Sequence, residues 1–223
     1  MILHGNSRAG ARDLALHLLK DENDHVTVHE LRGFISDTLP GAFDEVRAIS
    51  RGTKAKQYLF SLSLNPPANE KVSTQAFELA IEQAEDRLGL NNQPRAIVFH
   101  EKNGRRHAHV VWSRIDGQRM KAIPMPHSKR KLMTLSRELY FEHGWTMPEG
   151  FIDRNKRSLD NFTMAQWQQA KRTYQRPEQI KQTLRDCWST SKTQAQLEQR
   201  LKDCGYTLSQ GGTPRDCCAR SIL

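Results

Sequence analysis

Long apolar runs are missing from this sequence of 223 residues. No stretch approaches the roughly 18 consecutive apolar residues of a membrane span, and the N-terminus lacks the basic-then-apolar order of a signal peptide. Hydrophobic residues nevertheless make up 37% of the chain and charged residues 26%, which is enough apolar material for one good core. We therefore expect a soluble globular protein of the cytoplasm.

Cysteine is scarce and confined to one end. The four cysteines are Cys187, Cys204, Cys217 and Cys218, all in the last fifth of the chain, without CxxC spacing or partner histidines. This pattern argues against a disulfide framework and against a cysteine-based zinc site. We expect free thiols.

Acidic residues are outnumbered in the second part of the chain. Residues 101–223 carry 23 Lys and Arg against 12 Asp and Glu, a net charge of +11, whereas residues 1–100 carry 11 against 13, a net charge of −2. A surplus of this size without a membrane segment predicts a polyanionic partner, with nucleic acid the first choice. A small phosphate ester would not need so large a basic surface.

Three histidines cluster around one predicted hairpin. Residues 100–116 are HEKNGRRHAHVVWSRID. His107 and His109 are one residue apart at the start of a strand-forming run, so their imidazoles share a face. The turn signal Asn103-Gly104 folds the chain back and brings His100 beside them. Three neutral imidazoles from two neighbouring strands predict a divalent-metal site with positions open for water or substrate.

This arrangement resembles the metal motif of relaxases, the mobilization nucleases of the HUH endonuclease superfamily, in which a third histidine precedes a histidine-hydrophobic-histidine strand. The run HVVWSRID at 109–116 is similar to the continuation in MobP-type relaxases, and the resemblance covers roughly residues 1–145. It implies that His100, His107 and His109 hold the ion that binds a scissile DNA phosphate. The family implies Mn²⁺ or Mg²⁺, although an all-imidazole set also accepts Zn²⁺ or Ni²⁺. The partners implied are single-stranded origin-of-transfer DNA and accessory DNA-binding and conjugation-coupling proteins.

The first predicted helix departs from the pattern that the resemblance implies. MobP-type relaxases carry a nucleophilic tyrosine in a sequence similar to D-L-x-x-Y-I, whereas residues 13–18 here are DLALHL, with His17 in place of the tyrosine. A histidine can attack phosphorus and form a phosphoramidate, so His17 is the predicted nucleophile. The alternative is a histidine that merely borders the apolar stripe of its helix. Tyr58, at the start of a strand, is expected to be packed or edge-exposed rather than catalytic.

Strand and helix signals alternate over the first 148 residues. We predict strands near 1–4, 25–31, 57–64, 96–101, 107–115 and 118–123, and helices near 9–20, 42–50, 73–88 and 127–143. Gly5-Asn6-Ser7 is expected to break the first strand, and Ser7 to cap the first helix. Because the 96–115 hairpin requires antiparallel pairing, we predict an α+β fold. By resemblance, its centre is the five-stranded antiparallel HUH-type sheet, flanked by helices.

Strand signals disappear after Phe151. We predict a relaxase domain at 1–148, a basic helical module at 149–208 and an irregular tail at 209–223. The module contains helical stretches at 162–172, 177–188 and 193–206. Its small core is expected from Trp167, Ile180, Leu184, Trp188, Leu197 and Leu201.

Six cations near or after the hairpin are the predicted DNA contacts: Arg105, Arg106, Arg114, Lys129, Arg130 and Lys131. The last three lie at a helix N-terminus, where cations oppose the helix dipole, so phosphate contacts explain them better than helix stability does. A solvated basic turn is the alternative. Three carboxylates, Asp13, Glu30 and Glu101, are available to orient a histidine or accept a proton, and the sequence does not choose among them.

The leading hypothesis is a metal-dependent, site-specific single-strand DNA endonuclease and strand transferase that starts plasmid mobilization or conjugation through a covalent 5′-phosphate adduct. One alternative is a non-catalytic DNA-binding or replication-accessory protein that retains the fold. Another is a metallohydrolase acting on small phosphate esters, which the charge distribution disfavours.

Overall fold

The computed structural model describes residues 1–20, 25–102, 104–153, 162 and 164–208. The chain divides into two compact units, Met1–Pro148 and Glu149–Leu223. No helix among these described residues is both long enough and apolar enough to cross a membrane. The predicted tail at 209–223, with Cys217 and Cys218, lies outside the described residues.

The first unit is built on a five-stranded sheet in which every neighbouring pair is antiparallel. Its strands are β1 (Ile2–Arg8), β2 (His25–Arg32), β3 (Leu59–Asn65), β4 (Arg95–Lys102) and β5 (Arg105–Ser113), in the order β1-β3-β5-β4-β2. A separate two-stranded ribbon joins β6 (Ile115–Asp116) to β7 (Lys121–Ala122). The predicted strand at 118–123 is therefore reduced to two residues.

Helices flank the sheet and make up the second unit. The first unit contains α1 (Ala11–Leu18), α2 (Leu39–Ser50), α3 (Thr74–Leu88) and α4 (Ser128–Glu142), and the second contains α5 (Glu149–Ile152), α6 (Met164–Arg172), α7 (Pro177–Thr190) and α8 (Gln194–Asp203). An antiparallel sheet with flanking helices and further C-terminal helices confirms the predicted α+β class.

Alternation along the strands sends side chains into two separate cores. On one face α3 and α4 pack against Leu62, Val110 and Trp112. On the other face α1 and α2 pack against Val98 and Val111. Because successive residues of a strand point to opposite faces, the sheet buries apolar residues on both sides and holds the two helical layers together.

Strand β1 runs straight through the segment that was expected to break it. A Cβ on Gly5 would lie 2.6 Å from Phe60 and 2.7 Å from Leu132, so the glycine is there because the sheet and α4 approach each other closely, not because the chain turns. The prediction that Ser7 caps α1 is also wrong. Gly10 precedes the helix without a side-chain cap, and the Ser7 hydroxyl accepts a hydrogen bond from Arg114 at 3.0 Å.

Strand β2 contains a register shift between Val28 and Glu30. Val28 lies opposite Val98, on the α1 and α2 side, but Glu30 lies opposite Ile97, on the α3 and α4 side. Because of this shift, Val28 and Glu30 lie on opposite faces, and the Glu30 carboxylate accepts two hydrogen bonds from Arg95.

An ionic cluster forms where Glu30 arrives. Buried Arg95 also donates to the buried carboxylate of Glu85 at 2.8 Å. Glu85 accepts a further hydrogen bond from the indole of Trp112 at 3.1 Å and one from Arg32. With opposite charges and an indole donor present, these carboxylate oxygens are satisfied away from water.

The second unit buries less of its predicted core than expected. Trp167 is 46% exposed, Leu184 41% and Trp188 72%, whereas Leu201 is buried. The four short helices of the described part of this unit have too little surface to cover these large side chains among themselves. Cys187 and Cys204 are free thiols, as expected, with their sulfurs 3.9 Å apart.

Candidate metal centre

The three histidines meet on the two central strands of the sheet. His100 on β4 lies directly opposite His107 on β5, and His109 follows on the same face. One ligand nitrogen from each imidazole lies within 4.8 Å of the others, and the ring centroids are 4.7 to 5.2 Å apart. Because β4 and β5 are each paired on both sides, the backbone fixes the positions of all three side chains.

Electrostatics keep this triad neutral. Burial lowers the pKa of His100, and burial together with the neighbouring His100 lowers the pKa of His107. Burial, then the charges of His100 and His107, lower the pKa of His109 to about 3. Neutral imidazoles have lone pairs free to bind a cation, so the donor set fits a divalent ion without first losing protons.

A hydrogen bond connects the triad to the first helix. His100 Nε2 lies 2.7 Å from the backbone carbonyl oxygen of Leu18. A carbonyl only accepts, so Nε2 carries the proton and Nδ1 keeps the lone pair. Metal-binding histidines commonly donate their other ring N–H in this way, which fixes the ring orientation. Residue patterns could not predict this contact, because a backbone oxygen makes it.

His17 lies at the same end of α1. Ala11, Leu14, Ala15 and Leu18 form the buried side of the helix, and His17 is exposed. A charge on His17 lowers the pKa values of His100 and His109, so its ring is within electrostatic range of both. His17 precedes Leu18, whose backbone carbonyl lies 2.7 Å from His100 Nε2, so the last turn of α1 reaches the triad.

The tyrosines of the first unit lie away from the triad. Tyr58 is buried just before β3, at the end of that strand away from the histidines, and its hydroxyl accepts the backbone N–H of Ala11 at 3.3 Å. Tyr140 is buried in α4, which packs on the opposite face. Tyr174 and Tyr206 belong to the second unit. The expectation that Tyr58 is packed agrees with its position.

The three carboxylates considered from sequence differ in surroundings. Glu30 faces away from the triad in the ionic cluster with Arg95. Glu101 lies 3.6 Å from the guanidinium of Arg106. Asp13 is exposed on α1, one turn before His17. Of the three, only Asp13 shares the helix of the predicted nucleophile.

The six predicted DNA-binding cations also separate by position. Arg105 is exposed and, by strand alternation, lies on the triad face, whereas Arg106 lies on the opposite face, over the ring of Phe99. Arg114 donates to Ser7, to the carbonyl of Gln57 and to that of Ile123. These contacts give Arg106 and Arg114 structural roles.

The remaining three cations lie in the first turn of α4. Lys131 donates to the carbonyl of Arg87 at 2.6 Å, so its ammonium is held against α3. Lys129 and Arg130 are exposed. An exposed cation is free to reach a phosphate, and these two therefore stay the stronger candidates of the group.

Comparison with known families places this geometry in context. A family model described as "Relaxase: MobA/VirD2-like, nuclease domain" matches residues 16–145, more than half of the chain. Searches of curated proteins and of solved structures returned no match. The matched region contains His17, the three clustered histidines and all six predicted cations.

Proposed function

Since the chain belongs to the relaxase family of MobA/VirD2-like nucleases, we propose that it is a metal-dependent single-strand DNA endonuclease and strand transferase that nicks an origin of transfer. The observation that carries this proposal is the cluster of three histidines within 4.8 Å, which a hydrogen bond from His100 joins to Leu18, the residue after His17. Plasmid mobilization or conjugation in the cytoplasm is the proposed setting. Accessory DNA-binding and conjugation-coupling proteins are its proposed partners.

His100, His107 and His109 would hold the divalent ion. When bound, the ion would supply a Lewis acid that polarises the scissile phosphate and stabilises charge on its oxygens. The Leu18 carbonyl keeps His100 in the tautomer that is protonated on Nε2, so the lone pair of Nδ1 would bind the ion. Mn²⁺ or Mg²⁺ is expected from the family, and the imidazole set would also accept Zn²⁺ or Ni²⁺.

His17 would act as the nucleophile. A ring nitrogen uses its lone pair to form an N–P bond to the scissile phosphorus, and the P–O3′ bond breaks. The 3′ oxygen gains a proton and leaves as a hydroxyl, while the other ring nitrogen of His17 loses its proton, so the charges balance. The 5′-phosphate stays on His17 as a phosphoramidate until a 3′-hydroxyl attacks and reverses the step.

Position supports this role for His17. A nucleophile must approach to about 3 to 3.5 Å of the phosphorus, and the hydrogen bond from His100 to Leu18 anchors the residue next to His17 at the triad. Exposure of the His17 side chain leaves it accessible to DNA. Arg105, Lys129 and Arg130 are exposed and would contact phosphates along the strand, although Arg105 also donates to the Pro66 carbonyl at 3.5 Å. Arg106, Arg114 and Lys131 have protein partners.

The test is covalent adduct formation. Full-length protein with Mn²⁺ is incubated with a 3′-end-labelled single-stranded DNA library of randomised sequence, and the adduct is detected by denaturing electrophoresis. We expect a labelled adduct with the wild type that disappears after mild acid treatment, since a phosphoramidate is acid-labile. His17→Ala should form none and still bind Mn²⁺ in titration calorimetry. His143→Ala, which removes an exposed histidine from the end of α4, is the matched control.

Several outcomes would contradict the proposal. An acid-stable adduct that vanishes in Tyr58→Phe would assign the nucleophile to the tyrosine. An adduct that persists in His17→Ala would exclude His17. Unchanged Mn²⁺ affinity in both His107→Ala and His109→Ala would remove the metal site. DNA binding without any adduct would favour the non-catalytic DNA-binding alternative or a water nucleophile.

A further inference from the structure

Half of the sheet face that carries the triad is left open by the helices. On this face α1 and α2 bury residues of β2, β4 and β5, and only Leu59 of β3. The same face of β1 and β3 presents a polar set that is exposed or half-buried: His4, Asn6, Ser61, Ser63 and Asn65. We call these five residues the open polar face.

The strand register connects the open polar face to the triad. Ser63 lies opposite His4 on one side and opposite His109 on the other. Directly opposed residues of antiparallel strands point to the same side, so His4, Ser63 and His109 form one row across three strands. A strand of DNA whose phosphate lies at the triad would therefore have its neighbouring nucleotides over β3 and β1.

The side chains of this face hold one another in place. The Asn6 amide nitrogen lies 3.0 Å from His4 Nε2. The Asn65 amide donates to the Ser63 hydroxyl at 3.3 Å, and that hydroxyl donates to the His4 carbonyl at 3.5 Å. Each group still has further donor or acceptor capacity, so the set is oriented before any ligand arrives.

Charge is sparse in the middle of this face, although 26% of the chain is charged; the exposed Arg8 lies on the same side at the end of β1. Exposed edge strands are usually protected by charged side chains, especially lysine, yet between Ile2 and Arg8 this side of β1 presents only His4 and Asn6. Lys and Arg would suit phosphates, whereas neutral amides, hydroxyls and imidazoles suit the edges of bases and sugars. From Ile2 to Arg8 the face spans about 20 Å along the strand, enough for more than one nucleotide.

We propose that the open polar face binds the nucleotides beside the scissile phosphate of single-stranded DNA, and that His4 and Asn6 hydrogen-bond a base there and set sequence preference. The proposal rests on the proposed function, which supplies DNA as the substrate at the triad. His4 and Asn6 precede residue 16, where the family match begins, so the assignment comes from the sheet register of this chain.

The test compares sequence preferences. Full-length wild type, His4→Ala and Asn6→Ala are each allowed to bind a randomised single-stranded DNA library with Mn²⁺, and the recovered DNA is sequenced. Thr27→Ala is the matched control, because it removes a hydroxyl from an exposed position on the other edge strand. We expect His4→Ala or Asn6→Ala to lower the wild-type preference by about two- to tenfold at one or two adjacent positions, the effect of losing one or two neutral hydrogen bonds. Mn²⁺ affinity in calorimetry and the preference at other positions should not change.

Three results would overturn the proposal. If both variants retain the wild-type preference, like Thr27→Ala, the open polar face is a solvated sheet surface. If both variants bind all sequences more weakly by the same factor, the face contributes to DNA affinity but does not distinguish between bases. If the wild type itself enriches no sequence, the proposed function fails and this proposal fails with it, so the two failures are distinguishable.

Discussion

Replacing His109 with glutamine should change how the stability of the metal-free protein depends on pH. The pKa of His109 is about 3 in the folded protein, against about 6.5 for an unperturbed histidine. The unfolded chain therefore binds this proton first as the pH falls. Stability contributed by the neutral ring is fully present above pH 6.5 and is lost progressively as the pH falls from about 6.5 towards about 3.

The size of the effect follows from that difference. Each pH unit within this window costs about 1.4 kcal/mol per histidine, so lowering the pH from 7.5 to 4.5 should cost the wild type about 2 to 3 kcal/mol through His109 alone. Glutamine does not titrate, so His109→Gln should lose less stability over the same interval by about that amount. Carboxylates elsewhere titrate equally in both proteins, and their effect cancels in the comparison.

The assay is urea unfolding of both proteins at pH 7.5 and pH 4.5, with a chelator present to remove metal. The difference between the two pH-induced losses is the measured quantity. Equal losses in wild type and His109→Gln would refute the reasoning, since His109 would then titrate normally in the folded protein. At pH 7.5 without chelator, Mn²⁺ should raise the unfolding midpoint of the wild type more than that of His109→Gln, because a ligand that binds the folded state stabilises it.

Two further predictions concern the ionic cluster and the basic residues. Glu85→Ala should destabilise the protein by about 3 to 5 kcal/mol in urea unfolding, because buried Arg95 and Trp112 lose their shared acceptor. Glu82→Ala, at an exposed position of the same helix, should change stability little. Similar losses of stability in the two variants would contradict the burial argument. Arg105→Ala and Arg130→Ala should each weaken binding of single-stranded DNA and reduce the slope of log affinity against log salt by about 1, while Arg114→Ala should instead lower the stability of the fold. A steeper loss of DNA affinity in Arg114→Ala than in Arg105→Ala, at equal stability, would reverse this division.

Local sequence periodicity predicted the candidate metal centre better than it predicted any other feature of the chain. The prediction from the spacing of His107 and His109 requires only that β5 be a strand. The prediction from the turn signal in the sequence Asn103-Gly104 requires only that β4 and β5 be neighbours. Both rules act over a few residues, and the structure places His100 opposite His107 accordingly. The five-stranded antiparallel sheet followed partly from this hairpin and partly from the family resemblance.

Features that depend on distant residues were not predictable in this way. The segment Gly5-Asn6-Ser7 has the composition of a turn. Only the close contact of the Phe60 and Leu132 side chains with Gly5 explains why a glycine lies inside a strand. The large side chains of Trp167 and Trp188 suit a core, but their exposure depends on how much surface the short helices α5 to α8 can cover. The Leu18 carbonyl that orients His100 has no side-chain signal at all.

The register shift in β2 makes the length of that strand as important as its composition. Val26 packs against the core under α1 and α2, and the exposed Val28 points to the same side. His29 and Glu30 both contact residues of the opposite side, Phe99 and Arg95. Deleting His29 would make Val28 and Glu30 consecutive, opposite Val98 and Ile97, so the strand would alternate strictly and Glu30 would keep its side. The deletion would remove the His29 ring, which contacts Phe99 and Glu78 on the α3 and α4 side. Substitution of His29, in contrast, would leave the residue count unchanged. In this edge strand the single extra residue therefore adds one side chain to the layer of α3 and α4, while the residues before and after it keep their sides of the sheet.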